Sequence, residues 1–261
     1  EVTIAVAGKY TELQDAYKSI YEALMHAGAE NSCRVNIVRV DSEALEADGA
    51  SNGLAALLDT LPGANGDFTG TIDGILIPGG FGSRGIEGMI RIARFARENS
   101  IPCFGICLGM QVMAIDCARH MLGLAGANSS EFDAASSHPV ISLLEEQRHI
   151  TGLGGTMRLG ACEATIVPGT RMAAAYGGAT VVSERHRHRY EFTSSYREKF
   201  EKAGIVFSAI NTGNALVEGI EHGSHPWYLG VQSHPEFKSR LTAPAPLFVA
   251  FIQAALRRSA S

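Results

Sequence analysis

Through the first 122 residues, short β-rich runs closed by glycine alternate with longer runs of helical periodicity, and this alternation constrains the fold most. VTIAVAG (2–8) reads as a strand, and QDAYKSIYEALMHAG (14–28) follows with Tyr17, Ile20, Leu24 and Ala27 at helical spacing and Gly28 as the expected stop. RVNIVRV (34–40) and TIDGILIPGG (71–80) supply a second and a third strand. IEGMIRIARFAREN (86–99) is an amphipathic helix with Met89, Ile92 and Ala96 on one face. IPCFGI (101–106) is a fourth strand, and residues 108–122 a helix carrying Leu108, Val112, Ile115 and Leu122 inward. Such alternation predicts an α/β fold, a parallel sheet with helices on both faces, whose ligands bind beyond the carboxyl ends of the strands. PGGFG (78–82) and Cys107 fall at that end.

From about residue 150 the runs shorten to EATIVPG, ATVVSE, GIVFSAI and ALVEGIEH, which predicts an antiparallel extension and the remaining edge of the sheet. APLFVAFIQAALRR (245–258) closes the chain as a helix that starts after Pro244 and ends in two arginines suited to its negative end. Residues 42–70 read as a variable connection with one short helix. No repeat and no flexible linker is evident, so residues 1–261 are expected to form a single domain.

Composition narrows the function classes. At 46% hydrophobic and 19% charged, the chain is not extensively disordered, and its net charge of −5 offers no general nucleic-acid-binding surface. No apolar run approaches the ~18 residues of a membrane helix. The start, EVTIAVAGKY, is already strand-like, lacks an initiator Met and carries no signal peptide, which reads as a cut inside a longer protein. Five cysteines, an odd number without a C-x-x-C pair, point to a reduced, cytoplasmic setting.

Gly105-Ile106-Cys107-Leu108-Gly109 is a G-x-C-x-G pattern at a strand-to-helix junction. In the serine version of this elbow, a sharp turn exposes a strained nucleophile, and the glycines let strand and helix approach. A helix start also favours the thiolate form of a cysteine placed there. Cys33, Cys103, Cys117 and Cys162 lack these features and are expected to be buried structural residues. A nucleophilic cysteine needs a base, and GVQSHPEF (230–237) offers His234 and Glu236 two residues apart. Proline at 235 holds His234 extended, which places Glu236 on the same face to fix the imidazole tautomer. The glycine turn PGGFG, one strand over, can present backbone N–H groups to an oxyanion, with the amide of Leu108 as second donor.

ERHRHRYEF (184–192) admits three readings: metal ligation through His186 and His188, a solvated basic strand, or a site for a substrate carboxylate. No Cys or acidic ligand has matching spacing, so no metal is expected.

These residues together resemble a known family. GICLGMQ, PGGFG and HPE are similar to the class I (triad) glutamine amidotransferases. LGGTMRLG (153–160), ERHRHRYE, ANSSEF (127–132) and GKYTELQDAY (8–17) resemble, within that class, the glutaminase domain of the CTP synthase family. The resemblance implies a mostly parallel, flavodoxin-like central sheet flanked by helices. It implies Cys107 as nucleophile toward the side-chain amide of L-glutamine, His234 as base and then acid, and Glu236 as its orienting partner. Gly80 and Leu108 would form the oxyanion hole. Gly80, Phe81, Leu108, Gln111, Glu131 and Arg189 would bind the substrate, and Arg158 would be a candidate contact for a GTP effector. No cofactor is implied for this domain. ATP, UTP and magnesium would belong to an N-terminal synthase domain absent from this chain, which would be its partner in a homo-oligomer, a tetramer. One departure is Ser233, where the family often has an aromatic residue. Two other readings remain open: a stand-alone class I amidohydrolase or γ-glutamyl hydrolase using the same triad, and a non-catalytic regulatory domain of the same descent.

Overall fold

The computed structural model describes residues 1–10, 15–46, 71–144 and 157–260. Strands β1 (Val2–Gly8), β2 (Val35–Asp41), β3 (Gly74–Ile77) and β4 (Cys103–Ile106) pair in parallel in the order β2-β1-β3-β4. Every residue of β1, β3 and β4 is buried, as expected of strands covered on both faces. Alternate side chains serve the two faces. Ala5, Ala7, Ile75 and Ile77 pack with helices α2 (Ile86–Glu98) and α3 (Leu108–His120), whereas Ile4, Val6, Leu76 and Phe104 pack with α1 (Lys18–Glu30) and the C-terminal helix (Pro246–Ser259). Arg97 of α2 and the fully buried Asp116 of α3 are joined at 2.7 Å, which ties the two helices together.

The second half departs from the parallel pattern as its short runs suggested. Strands β7 (Arg158–Ile166), β8 (Val181–His188), β10 (Ile205–Asn211), β11 (Val217–His222) and β12 (Tyr228–Val231) extend the sheet to nine strands. The added order is β12-β11-β10-β7-β8; β12 runs parallel to β4, and every later pairing is antiparallel. A second sheet, β5-β6-β9, unites Ala127–Ser129, His138–Ser142 and Glu191–Phe192. No sequence pattern marks it, since two of its strands have three residues or fewer. Two short helices, α4 (Arg171–Ala175) and α5 (Arg197–Lys202), precede the C-terminal helix, α6.

Two expectations are corrected. Gly28 does not stop α1, which runs on to Glu30 and turns at Ser32 (φ 52°). Gly28 is needed instead for packing, because a Cβ there would lie 2.7 Å from Val35 Cγ2. Of the four cysteines expected to be buried, only Cys103 and Cys117 are; Cys33 lies in the turn after α1 and Cys162 on the edge hairpin, both half-buried. The short helix expected within 42–70 lies almost wholly outside the described residues.

Candidate active site

Strand β4 ends at Ile106, α3 starts at Leu108, and Cys107 is the single residue between them. Its φ of 53° and ψ of −105° place a non-glycine residue in a sparsely populated region, at a cost of order 1–3 kcal/mol. The surroundings hold it there. The Cys107 amide donates to Val231 O at 2.7 Å, and the Cys107 carbonyl accepts from Gln111 N at 3.2 Å. A Cβ on Gly105 would lie 2.3 Å from Met113 Sδ, and one on Gly109 only 2.0 Å from Ile77 O. Close approach of helix and strand is therefore why this elbow carries glycine on both sides.

His234 follows β12, the neighbour of β4, and lines one cleft together with Cys107. Its Nδ1 lies 2.7 Å from Glu236 Oε1, leaving Nε2 as the ring nitrogen open to the thiol. The contact arises differently from the expected extended strand. His234 (φ −117°, ψ 76°) starts a 3₁₀ turn, Pro235–Lys238, whose second residue returns Glu236 to the ring. Burial alone would lower the His234 pKa. Its hydrogen bonds to Cys107 and Glu236, and their charges, outweigh that and push it up to about 10. The edge strand β8 covers the pair, with Arg185 O accepting from His234 N at 2.8 Å and Arg187 O 4.0 Å from Cys107 Sγ.

PGGFG follows β3, adjacent to β4. Gly79 faces Cys107 and His234 so closely that a Cβ would lie 2.9 Å from His234 Cε1 and 3.5 Å from Cys107 Cβ. A small cleft opens beside Cys107, lined by Gly80, Phe81, Gln111, Glu131, His188, Arg189 and Tyr190. Hence Gln111, Glu131 and Arg189, separated by 20 to 78 positions in sequence, share one cavity. The small sheet accounts for this meeting: Glu131 follows β5, while Arg189 and Tyr190 precede β9. Gln111 Nε2 donates to Tyr190 O at 3.0 Å and to Gln232 Oε1 at 3.2 Å. A carboxylate and a guanidinium in one small cleft suit the ammonium and carboxylate of an amino acid.

In β8, Glu184, His186 and His188 point inward while Arg185 and Arg187 are exposed. The basic cluster thus combines a solvated strand edge with one arginine, Arg189, that turns into the cleft. Arg158 has another place. Its two terminal nitrogens meet Glu191 Oε1 at 2.9 Å and Glu218 Oε1 at 2.5 Å, and His188 Nε2 meets Glu191 at 2.7 Å. Burial raises the Glu218 pKa to about 7 against the opposing pull of Arg158. Arg158 is thereby an internal brace behind the cleft; much of the LGGTMRLG segment lies outside the described residues. Among the described residues, no group of three or more His, Cys, Asp or Glu is placed to hold a metal ion.

Two groups went unnoticed in the sequence. Gln232, fully buried, places its Nε2 3.7 Å from Cys107 Sγ. Its only sequence signal is its position two residues before His234. Lys9, also buried, reaches the PGGFG loop across 72 positions.

A thiol in a strained elbow, beside a histidine that a carboxylate orients, is the equipment of cysteine-dependent acyl transfer. Residues 12–254 match the family described as glutamine amidotransferase class-I, and the chain belongs to that family. The chain is 50% identical over 257 residues to the CTP synthase of Syntrophus aciditrophicus and 51% identical over 257 residues to that of Archaeoglobus fulgidus. Both matches cover 98% of this chain but 45% of the relative, so the chain spans less than half the length of these curated relatives. Among solved structures, the glutaminase domain of the Trypanosoma brucei CTPS with bound acivicin is similar at 39% identity and a TM-score of 0.88, covering 98% of this chain and 94% of that one.

Proposed function

We propose that this chain hydrolyses L-glutamine to glutamate and ammonia, and that residues 1–261 act as one glutaminase domain. The observation that carries this reading is the Cys107–His234–Glu236 arrangement beside a cleft holding both Glu131 and Arg189. The Cys107 thiolate attacks the side-chain amide carbon of glutamine. The amides of Gly80 and Leu108 receive the oxyanion, Leu108 being among the first N–H groups of α3, which lack intrahelical partners. His234 gives its proton to the departing ammonia, and the acyl group remains on Cys107 as a thioester. Water, deprotonated by His234, then releases glutamate. Glu131 takes the substrate ammonium, Arg189 its α-carboxylate, and Gln111, Phe81 and the backbone of Gly80 line the pocket.

The relatives' name supports a further step. The ammonia is used by a synthase domain outside this chain to convert UTP to CTP, with ATP and magnesium held there and GTP as effector. The parent protein is a cytoplasmic homo-oligomer, a tetramer, and the glutaminase domain itself needs no cofactor. Among the described residues, no helix is long and apolar enough to cross a membrane.

Labelling tests the reading. A glutamine-analogue electrophile should give one covalent adduct, mapped by peptide mass to Cys107 and absent from Cys107→Ala. An unmodified Cys107 beside a labelled Cys33 or Cys162 would contradict it. A γ-glutamyl hydrolase would instead prefer γ-glutamyl peptides, and a regulatory domain would not label.

A further inference from the structure

The glycine loop that would hold the oxyanion is flexible by composition. Three of the five residues in PGGFG are glycine, and Gly82 has φ +76°. Oxyanion donors act by being aimed beforehand, so something must fix the loop. The peptide joining Phe81 to Gly82 is held at both ends. Its N–H, on Gly82, donates to Glu131 Oε1 at 3.0 Å, and its carbonyl, on Phe81, accepts from Lys9 Nζ at 3.3 Å. Lys9 Nζ also donates to Gly82 O. Because the two ends of a trans peptide point in opposite directions, one cation and one anion on either side fix its plane.

The stem of Lys9 supports the same loop. A Cβ on Gly80 would come within 3.7 Å of Lys9 Cδ, so the lysine chain lies against the residue whose amide is the oxyanion donor. Lys9 is itself fixed at the end of β1, where its amide donates to Tyr17 OH at 3.0 Å. Its ammonium stands over the Phe132 ring, 5.7 Å from the centroid. Burial lowers its pKa to about 8, with Arg84 adding to this, while Glu131, Glu46 and Glu43 oppose it.

Resting on the glutaminase reading, we infer that Lys9 is a positioning residue for the reaction: with Glu131 it clamps the Phe81–Gly82 peptide and so sets the Gly80 amide toward the oxyanion. Lys9 does not itself line the cleft beside Cys107 and reaches it only through Gly80, Phe81 and Gly82. Its effect belongs to the steps that place charge on a carbonyl oxygen and to no other reaction of Cys107.

Two reactions of the same thiol separate these cases. Glutamine turnover passes through an oxyanion, whereas alkylation by iodoacetamide displaces iodide and needs no oxyanion hole. In Lys9→Met, kcat for glutamine should fall roughly tenfold to a hundredfold, less than or comparable to the loss of a direct donor. KM should stay within about twofold, and peptide mapping should show Cys107 alkylated by iodoacetamide at the wild-type rate. If Lys9→Met does not fold, Lys9→Gln, too short to reach both carbonyls, should give the same split. Unchanged turnover, a loss confined to KM, or equal slowing of both reactions would overturn the inference. Wild-type and Cys107→Ala proteins run alongside test the underlying reading separately. A wild-type chain that neither turns over glutamine nor labels sinks both.

Discussion

At the scale of single residues, the account depends on what glycine permits and what charge compels. Cys103 and Cys107 stand four positions apart, and both are buried. Burial raises the Cys103 pKa strongly, with Asp116 adding to it, so that thiol stays protonated. Cys107 differs by its positive φ and its contact with His234. Adding a methyl group at Gly109 drives it into the Ile77 carbonyl, and overpacking of this kind costs about 1–3 kcal/mol or more. Gly109→Ala should lower the Tm clearly, while Gly213→Ala, whose Cβ would meet nothing nearer than 3.4 Å, should leave it almost unchanged. His234 gives a pH test. Its pKa is raised on folding, so its stabilising contribution is complete below the ordinary histidine value of about 6.5 and is lost as pH rises through the raised value. Glu236 helps to raise it to about 10. The Tm deficit of Glu236→Gln should therefore be largest between about pH 5 and 6.5 and should close as pH approaches 10.

Among the elements, the β7–β8 hairpin matters most. It lays backbone carbonyls over Cys107 and His234, and it delivers Arg189 to the cleft. Arg158, in register with His188, secures the end next to Arg189 against Glu191 and Glu218. Arg158→Met would leave buried Glu218 without its guanidinium and Glu191 with only His188, a loss of about 3–5 kcal/mol by the usual cost of breaking a buried pair. Since the Glu218 pKa is already raised to about 7, acidification neutralises that carboxyl, and the deficit measured by denaturant unfolding should shrink from pH 8 to pH 6. A deficit independent of pH would argue against the brace. The elements also separate what the sequence reveals from what it hides. The strands β1, β3 and β4, and the elbow after β4, were legible because apolar runs and glycines mark them locally. The two short strands around Glu131 and Glu191 were not, because a strand of two or three residues has no periodicity to read. Lys9 and Gln232 were hidden for another reason: their contacts span 72 and 125 positions.

For the whole molecule, one parallel half-sheet supplies β3, β4 and β12, whose carboxyl ends carry PGGFG, Cys107 and His234. The antiparallel half and the small sheet complete the cleft around that row. The alternation in the first half of the sequence announced the parallel strands. Nothing local announced that β8, last in the sheet, would return over Cys107 and His234, since that depends on the curl of a nine-stranded sheet. Because the chain spans 45% of the relatives compared, incubation with glutamine, ATP, UTP and magnesium should yield glutamate and ammonia without CTP. CTP formation by this chain alone would overturn that division of labour.

The central claim is that Cys107 becomes acylated by glutamine with release of ammonia. Its most direct test is rapid acid quenching of the chain during turnover of glutamine radiolabelled in its carbon skeleton, followed by peptide mapping. Label should appear on the Cys107 peptide, be lost on treatment with hydroxylamine, as a thioester requires, and be missing from Cys107→Ala. Ammonia release without label on Cys107, or label that survives in Cys107→Ala, would contradict it.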